Sequence, residues 1–253
     1  MCGLAGMLIH PQERSEAEWE ALRQLFTQTL VFNEERGREA SGVALFQKDG
    51  RFELVKEGVP ASTLIEMPAY RQVLAEMGPQ TTCLLGHTRM PTKGTPENRL
   101  NNHPLHTGHV IGIHNGQIEN DDELFVQLSL PRAGQVDSEI IFRLLDSISP
   151  ERLNGRYLSA AVERLRLLRG RFTTLSVDLR MPTRLLVTKV DMPLCMHYDA
   201  SLQTLFFSSR YLFLRKAFGR SVVAEALPSQ HAYLFDAIHL PDLTRRPLQT
   251  WLL

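Results

Sequence analysis

Short apolar runs separated by turn residues recur along most of this chain, and their arrangement with the helical stretches limits the folds open to it. Residues 4–9, 42–46, 52–56, 81–87 and 109–114 read as strands, the second and third joined by a turn at Lys48-Asp49-Gly50. Further runs follow at 172–177, 185–189, 194–197, 204–208 and 231–235. Helical spacing appears in fewer places. Trp19, Leu22, Phe26 and Leu30 lie on one face behind Ser15, which with Glu18 forms a capping box. A second helix starts near Asn120, where Asp121, Asp122 and Glu123 suit the positive end of its dipole. A third runs from about Asp137 through Ile140, Ile141, Leu144, Leu145 and Ile148, and an amphipathic stretch covers 157–169. Helices and strands do not alternate one for one, so the expected class is α+β, with antiparallel sheets covered by helices.

At 253 residues, with 43% hydrophobic and 22% charged side chains, the chain has an ordinary globular composition and needs no staple. No internal repeat or linker divides it, so one domain is expected. Lys plus Arg equals Asp plus Glu at 28 each, so no net field draws it to nucleic acid or anionic membrane. The cysteines Cys2, Cys83 and Cys195 are too few and odd in number for a disulfide framework, which fits a reducing compartment. The first basic residue is Arg14, no signal-peptide pattern opens the chain, and Gly3 stands one place too late for myristoylation. The expectation is a soluble cytoplasmic protein with neither a nucleic-acid nor a membrane partner.

Several residues have chemistry to offer. Once Met1 is removed, Cys2 carries both a thiol of pKa ~8.5 and an α-amine of pKa ~7.7–8.0, so its own amine can accept the thiol proton. With Met1 kept, Cys2 is a small residue opening a strand. Arg89, just beyond a strand, can grip a carboxylate with two parallel hydrogen bonds or can be an ordinary surface arginine. At His114-Asn115-Gly116 two readings compete: a type I′ hairpin turn, for which Asn-Gly is the strongest short signal, and a pair of donors converging on an oxyanion. His103, His106, His109 and His114 lack metal-ligand spacing on one helix face and have no Cys or carboxylate among them, so no metal is expected. Asp137 reads first as a helix N-cap and second as a partner for an ammonium group.

Taken in order, Cys2-Gly3, Arg36-Gly37 followed by Ser41-Gly42, Gly86-His87-Thr88-Arg89, Asn102-His103-Pro104, His114-Asn115-Gly116 with Ile118 and Asn120, and Asp137-Ser138-Glu139 resemble the class II glutamine amidotransferases. The pattern is most like the glutaminase domain of glucosamine-6-phosphate synthase. The likeness continues through Leu168-Arg169-Gly170 to Phe207-Ser208-Ser209.

That resemblance implies an N-terminal-nucleophile hydrolase fold, a four-layer αββα sandwich of two antiparallel sheets between helices, spanning residues 2–253 after loss of Met1. It implies that Cys2 attacks the side-chain amide of L-glutamine and that Asn115 and Gly116 form the oxyanion hole. Arg89 would bind the substrate carboxylate with help from Thr92, Arg36 would contribute to substrate binding, and Asp137 would face the α-ammonium. No cofactor or metal is implied. The products would be glutamate and ammonia, the ammonia passing to a separate synthase subunit. Another amide as substrate, or a non-catalytic glutamine-sensing role, are the alternatives. Two departures stand out: relatives usually carry Trp-Ala-Thr-His-Gly after the arginine where this chain has Met90-Pro91-Thr92-Lys93-Gly94, and Arg210 replaces an acidic residue after Ser209. The segment 90–104, rich in Pro, Gly and Asn, is expected to act as a mobile gate over Arg89 and Thr92.

Overall fold

The computed structural model describes residues 1–153 and 155–253. Strands β1 (Gly3–Ile9), β2 (Ala40–Gln47), β3 (Phe52–Glu57), β4 (Thr81–Arg89), β5 (Leu105–Thr107), β6 (Val110–Ile118) and β7 (Gly170–Asp178) are followed by β8 (Arg184–Val190), β9 (Cys195–Asp199), β10 (Thr204–Ser208), β11 (Glu225–Ala226), β12 (His231–Asp236) and β13 (Gln249–Leu252). They form two sheets, in the orders β11-β9-β10-β1-β4-β2-β3 and β13-β12-β8-β7-β6-β5. Neighbouring strands run antiparallel throughout.

The helices are α1 (Glu16–Asn33), α2 (Ala61–Leu64), α3 (Pro68–Ala75), α4 (Asp121–Gln127), α5 (Glu139–Asp146), α6 (Tyr157–Leu165), α7 (Tyr211–Phe218) and α8 (Leu240–Leu243). Three apolar cores explain the layering. Leu4, Leu8 and Leu85 from the first sheet meet Ile111, Ile113, Leu175 and Val187 from the second. Met7, Ile9 and Leu84 face outward onto Leu22, Phe26 and Leu30 of α1 and Leu214 of α7. Phe172, Leu186 and Leu234 face outward onto Ile141, Leu145, Leu158 and Val162 of α5 and α6. Alternation along each strand thus serves two cores at once, which is why β1 is buried along its whole length. The result is the expected αββα sandwich.

Some boundaries differ from expectation in informative ways. The capping box at Ser15 is present, with Glu18 N–H on the Ser15 hydroxyl and the Glu18 carboxylate on the Ser15 N–H. The strand expected to stop near His114 continues to Ile118, pairing along its full length with β7. Asn115-Gly116 is therefore mid-strand, and the hairpin reading is wrong. Asp137 is not an N-cap either: α5 begins after Ser138, and the Asp137 carboxylate instead accepts the Ile118 N–H at 2.7 Å. No helix among the described residues is long and apolar enough to cross a membrane.

Candidate active site

The site lies where the start of β1 in one sheet comes near the second half of β6 in the other. A cavity of about 230 Å3 opens there, lined by Met1, Cys2, Met90, Thr92, Asn115, Gly116, Gln117, Arg171 and Met192. Cys2 precedes β1, whose entry is crowded: a Cβ on Gly3 would lie 2.4 Å from the Thr88 hydroxyl and 2.7 Å from the Asn33 carbonyl at the end of α1. Only glycine lets the chain pass, and this fixes where Cys2 emerges. Leu4 N–H donates to Ser209 Oγ at 2.8 Å, and Asn33 Nδ2 donates to Ser208 Oγ at 3.0 Å, securing the strand next to the thiol.

The Cys2 sulfur is itself held. Met90 N–H donates to Sγ at 3.4 Å, and the thiol lies 3.6 Å from the Met90 carbonyl. Burial pushes the thiol above its ordinary value, and Asp137 adds to this. The Met90 N–H, the positive chain terminus and Arg89 pull the other way. Burial favours the uncharged thiol, so an adjacent base is needed to make a nucleophile. In the chain as it stands the free amine belongs to Met1, and it donates to Met90 Sδ at 2.8 Å.

Asn115 and Gly116 face Cys2 across the cavity. Asn115 is fully buried, yet neither its carboxamide nitrogen nor its oxygen has a hydrogen-bond partner among the described residues. Gly116 has φ +137°, and a Cβ there would sit 2.0 Å from the Arg171 carbonyl, so no other residue fits. An orphaned buried amide costs about 1–3 kcal/mol of stability, which marks Asn115 as a donor kept free for something else.

The remaining sequence candidates fall into two groups. Thr92 lines the cavity, and Asp137 lies close enough for its charge to act on both Cys2 and Arg89. Arg36 and Arg89, however, spend their guanidinium groups on the protein itself. Arg36 Nε donates to the Cys2 carbonyl at 2.7 Å, so it orients the Cys2 backbone. Arg89 donates through Nη1 to Asn102 Oδ1 at 2.9 Å and through Nη2 to the carbonyls of Lys93 and Gly94 at 2.6 and 2.8 Å. Three of its five N–H groups are thereby committed, leaving two for a ligand.

Those contacts also tie down the segment 90–104. Lys93 Nζ reaches Asp121 at 2.7 Å and Asp122 at 2.9 Å at the start of α4, and Arg132 bonds the same two carboxylates. Hydrogen bonding to Arg132 and then to Lys93 holds the Asp122 carboxyl down at about 2. Asn101 donates to the Thr95 carbonyl at 3.0 Å and Asn102 to that of Pro96 at 2.7 Å. In this conformation the segment is strapped to the fold by these side chains.

Among the described residues no group of His, Cys, Asp and Glu could hold a metal. His103 and His114 are buried, whereas His106 and His109 are exposed. Sequence reasoning gave no role to Asn33, the Met90 backbone, Gln117, Arg171 or Met192, because nothing in their neighbours along the chain marks them.

Comparison with known proteins bears on the fold and the family. No family model matches the chain. Glutamine–fructose-6-phosphate aminotransferase of Gluconobacter oxydans is 34% identical over 171 residues, 65% of this chain and 25% of that protein. 7-Cyano-7-deazaguanine synthase of Sulfolobus acidocaldarius is 29% identical over 213 residues, 83% of this chain and 43% of that protein. The chain thus spans less than half the length of these curated relatives. Among solved structures, glutamine phosphoribosylpyrophosphate amidotransferase of B. subtilis superposes with a TM-score of 0.67 at 18% identity, covering 93% of this chain and 47% of that one. The allosteric regulatory enzyme of purine biosynthesis superposes with a TM-score of 0.69 at 17% identity, with the same coverage. The fold is that of the N-terminal-nucleophile amidotransferases. Together with its sequence relatives, this supports a class II glutamine amidotransferase.

Proposed function

We propose that this chain hydrolyses the side-chain amide of L-glutamine to glutamate and ammonia, with Cys2 as nucleophile after removal of Met1. The observation that carries the reading is the unpartnered, fully buried Asn115 carboxamide opening, with Gly116, into the cavity that holds the Cys2 sulfur. The Cys2 amine takes the thiol proton and Sγ attacks the amide carbon. The carbonyl oxygen becomes an oxyanion held by Asn115 Nδ2 and the Gly116 N–H. Collapse of the tetrahedral species breaks the C–N bond, and the same amine returns the proton to the departing ammonia. A γ-glutamyl thioester remains, and water, activated by that amine, releases glutamate. Asp137 faces the substrate ammonium, and the uncommitted N–H groups of Arg89, with Thr92, receive its carboxylate.

The ammonia passes to a separate synthase partner, in keeping with relatives named as an aminotransferase and a synthase. A second reading, hydrolysis of a different amide, is favoured by one observation: Arg89 is largely engaged by Asn102, Lys93 and Gly94 before any substrate arrives. Ammonia release from a panel of amides decides between them. Glutamine should be turned over well ahead of asparagine, glutaminyl peptides and simple amides, and turnover should vanish in Cys2→Ala. A preference for an amide lacking the α-carboxylate would overturn the glutamine assignment.

A further inference from the structure

His87 lies on β4 between the sheets, fully buried and outside the lining of the Cys2 cavity. Its register neighbours are Leu4 on β1 and Gly42 on β2, so it stands beside the strand that presents Cys2. Its ring crosses to the other sheet, where Nε2 is 2.8 Å from the carbonyl of His114. A carbonyl only accepts, so Nε2 must carry the proton and donate. The peptide unit that accepts this bond is the one joining His114 to Asn115. One hydrogen bond therefore links the nucleophile's sheet to the plane of the peptide that leads into the oxyanion residues.

The ring has little freedom to do anything else. His103 stacks on it with centroids 4.3 Å apart and planes at 30°, and His103 Nε2 is 2.9 Å from Ser138 Oγ, next to Asp137. Burial also lowers the His87 pKa to about 3, so the ring stays neutral at ordinary pH. It is neither a charge at the site nor a base that could reach the cavity.

Building on the glutaminase reading, we propose that His87 is a positioning residue: its cross-sheet hydrogen bond to the His114 carbonyl sets the orientation of Asn115 and Gly116 relative to Cys2. Donors for an oxyanion must be held near their productive geometry before the reaction, and a strand can rotate its peptide plane unless something fixes it. Backbone pairing to β7 fixes β6 within its own sheet. The His87 bond fixes it against the other sheet, which carries the nucleophile.

The test uses the full chain with His87→Leu, which removes the donor, and His87→Gln, whose side-chain amide nitrogen has nearly the same reach as an imidazole Nε2. Four quantities are measured: kcat and KM for ammonia release, the rate of Cys2 alkylation by iodoacetamide, melting temperature, and the NMR shift of the Asn115 amide. Alkylation is a displacement at carbon that needs the thiolate but no oxyanion hole. His87→Leu should lower kcat about 10- to 100-fold while KM and alkylation stay within about twofold, and should move the Asn115 amide resonance. His87→Gln should recover most of the loss. A His87→Leu protein with wild-type kcat and an unmoved Asn115 resonance overturns the proposal. So does a parallel fall of kcat, alkylation rate and melting temperature that His87→Gln does not repair, which is the pattern of a merely structural residue. If the wild type releases no ammonia from glutamine, the functional reading fails, and the Asn115 resonance alone decides the role of His87.

Discussion

The two halves of the site are held in different ways. Asn115 and Gly116 sit within β6, paired with β7 on one side, and the carbonyl of the preceding His114 is bonded across to His87, with both sheets packed on apolar cores. The loop 90–104 has no strand or α-helix of its own and is held by side chains: the Arg89 bonds to loop carbonyls, the two asparagines, and the charged cluster of Lys93, Asp121, Asp122 and Arg132. On the proposed reaction, the part that would meet the transition state is built into the sandwich, and the part that would meet the ground-state substrate is strapped on. Substitutions in the first should act on kcat, and those in the second on KM.

The largest effect tests the shared centre of both regions. Cys2→Ala should abolish ammonia release while leaving the melting temperature close to wild type, because the proposed covalent step needs the sulfur and the fold loses only its two contacts with the Met90 backbone. Residual turnover within tenfold of wild type would remove Cys2 from the mechanism. Next comes the strand side: Asn115→Ala should lower kcat by about 10²–10³ with little change in KM. An effect confined to KM would mean that Asn115 touches substrate without meeting the oxyanion.

Acid should strain the strand side selectively. Burial holds His87 at about 3 and lowers His103 and His114 below the ordinary 6.5, so the folded protein resists protons that the unfolded chain takes up. Stability is therefore intact above about pH 6.5 and declines below it, for His87 down to about 3. Each such group contributes up to about 1.4 kcal/mol per pH unit once the pH is well below its unfolded value. Chemical denaturation between pH 7 and 5 reads this directly, and a flat profile would contradict neutral burial of these rings.

The strapped loop should respond more mildly. Arg89→Lys loses the planar grip on both loop carbonyls and substrate carboxylate, raising KM about tenfold or more with a smaller change in kcat. Lys93→Ala should raise KM only a few-fold, because Lys93 and Asp122 are well exposed and their pairing is screened. Added salt should mimic that change in the wild type and do little further in Lys93→Ala. A kcat loss from Lys93→Ala larger than that from Asn115→Ala would erase the distinction between the two regions.

The same contrast explains what could be read from the sequence. Elements set by local periodicity were legible: α1 with its Ser15–Glu18 box, β1, β4 and β10 lie close to where residue spacing puts them. Helices α3 and α7 are not among the expected elements, although α5, of the same eight-residue length, is. Asn115-Gly116 and Asp137 each carry a strong local preference, turn and N-cap respectively, that pairing with β7 and the Ile118 N–H override. The site residues were legible as a set, through the resemblance, whereas their partners were not. That Arg36 bonds the Cys2 carbonyl, or that Arg89 bonds carbonyls four and five residues on, depends on how the folded backbone bends and leaves no mark in spacing.

The central claim is that catalysis needs the free α-amine of Cys2, a group that in the chain as described is tied up in the Met1–Cys2 peptide bond, with the terminal amine on Met1. Intact-mass measurement on purified protein, fractionated and assayed for ammonia release from glutamine, tests it most directly. The account predicts that activity tracks the species lacking Met1 and that protein retaining Met1 is inert until an aminopeptidase removes it. Full glutamine turnover by protein that retains Met1 throughout would contradict it.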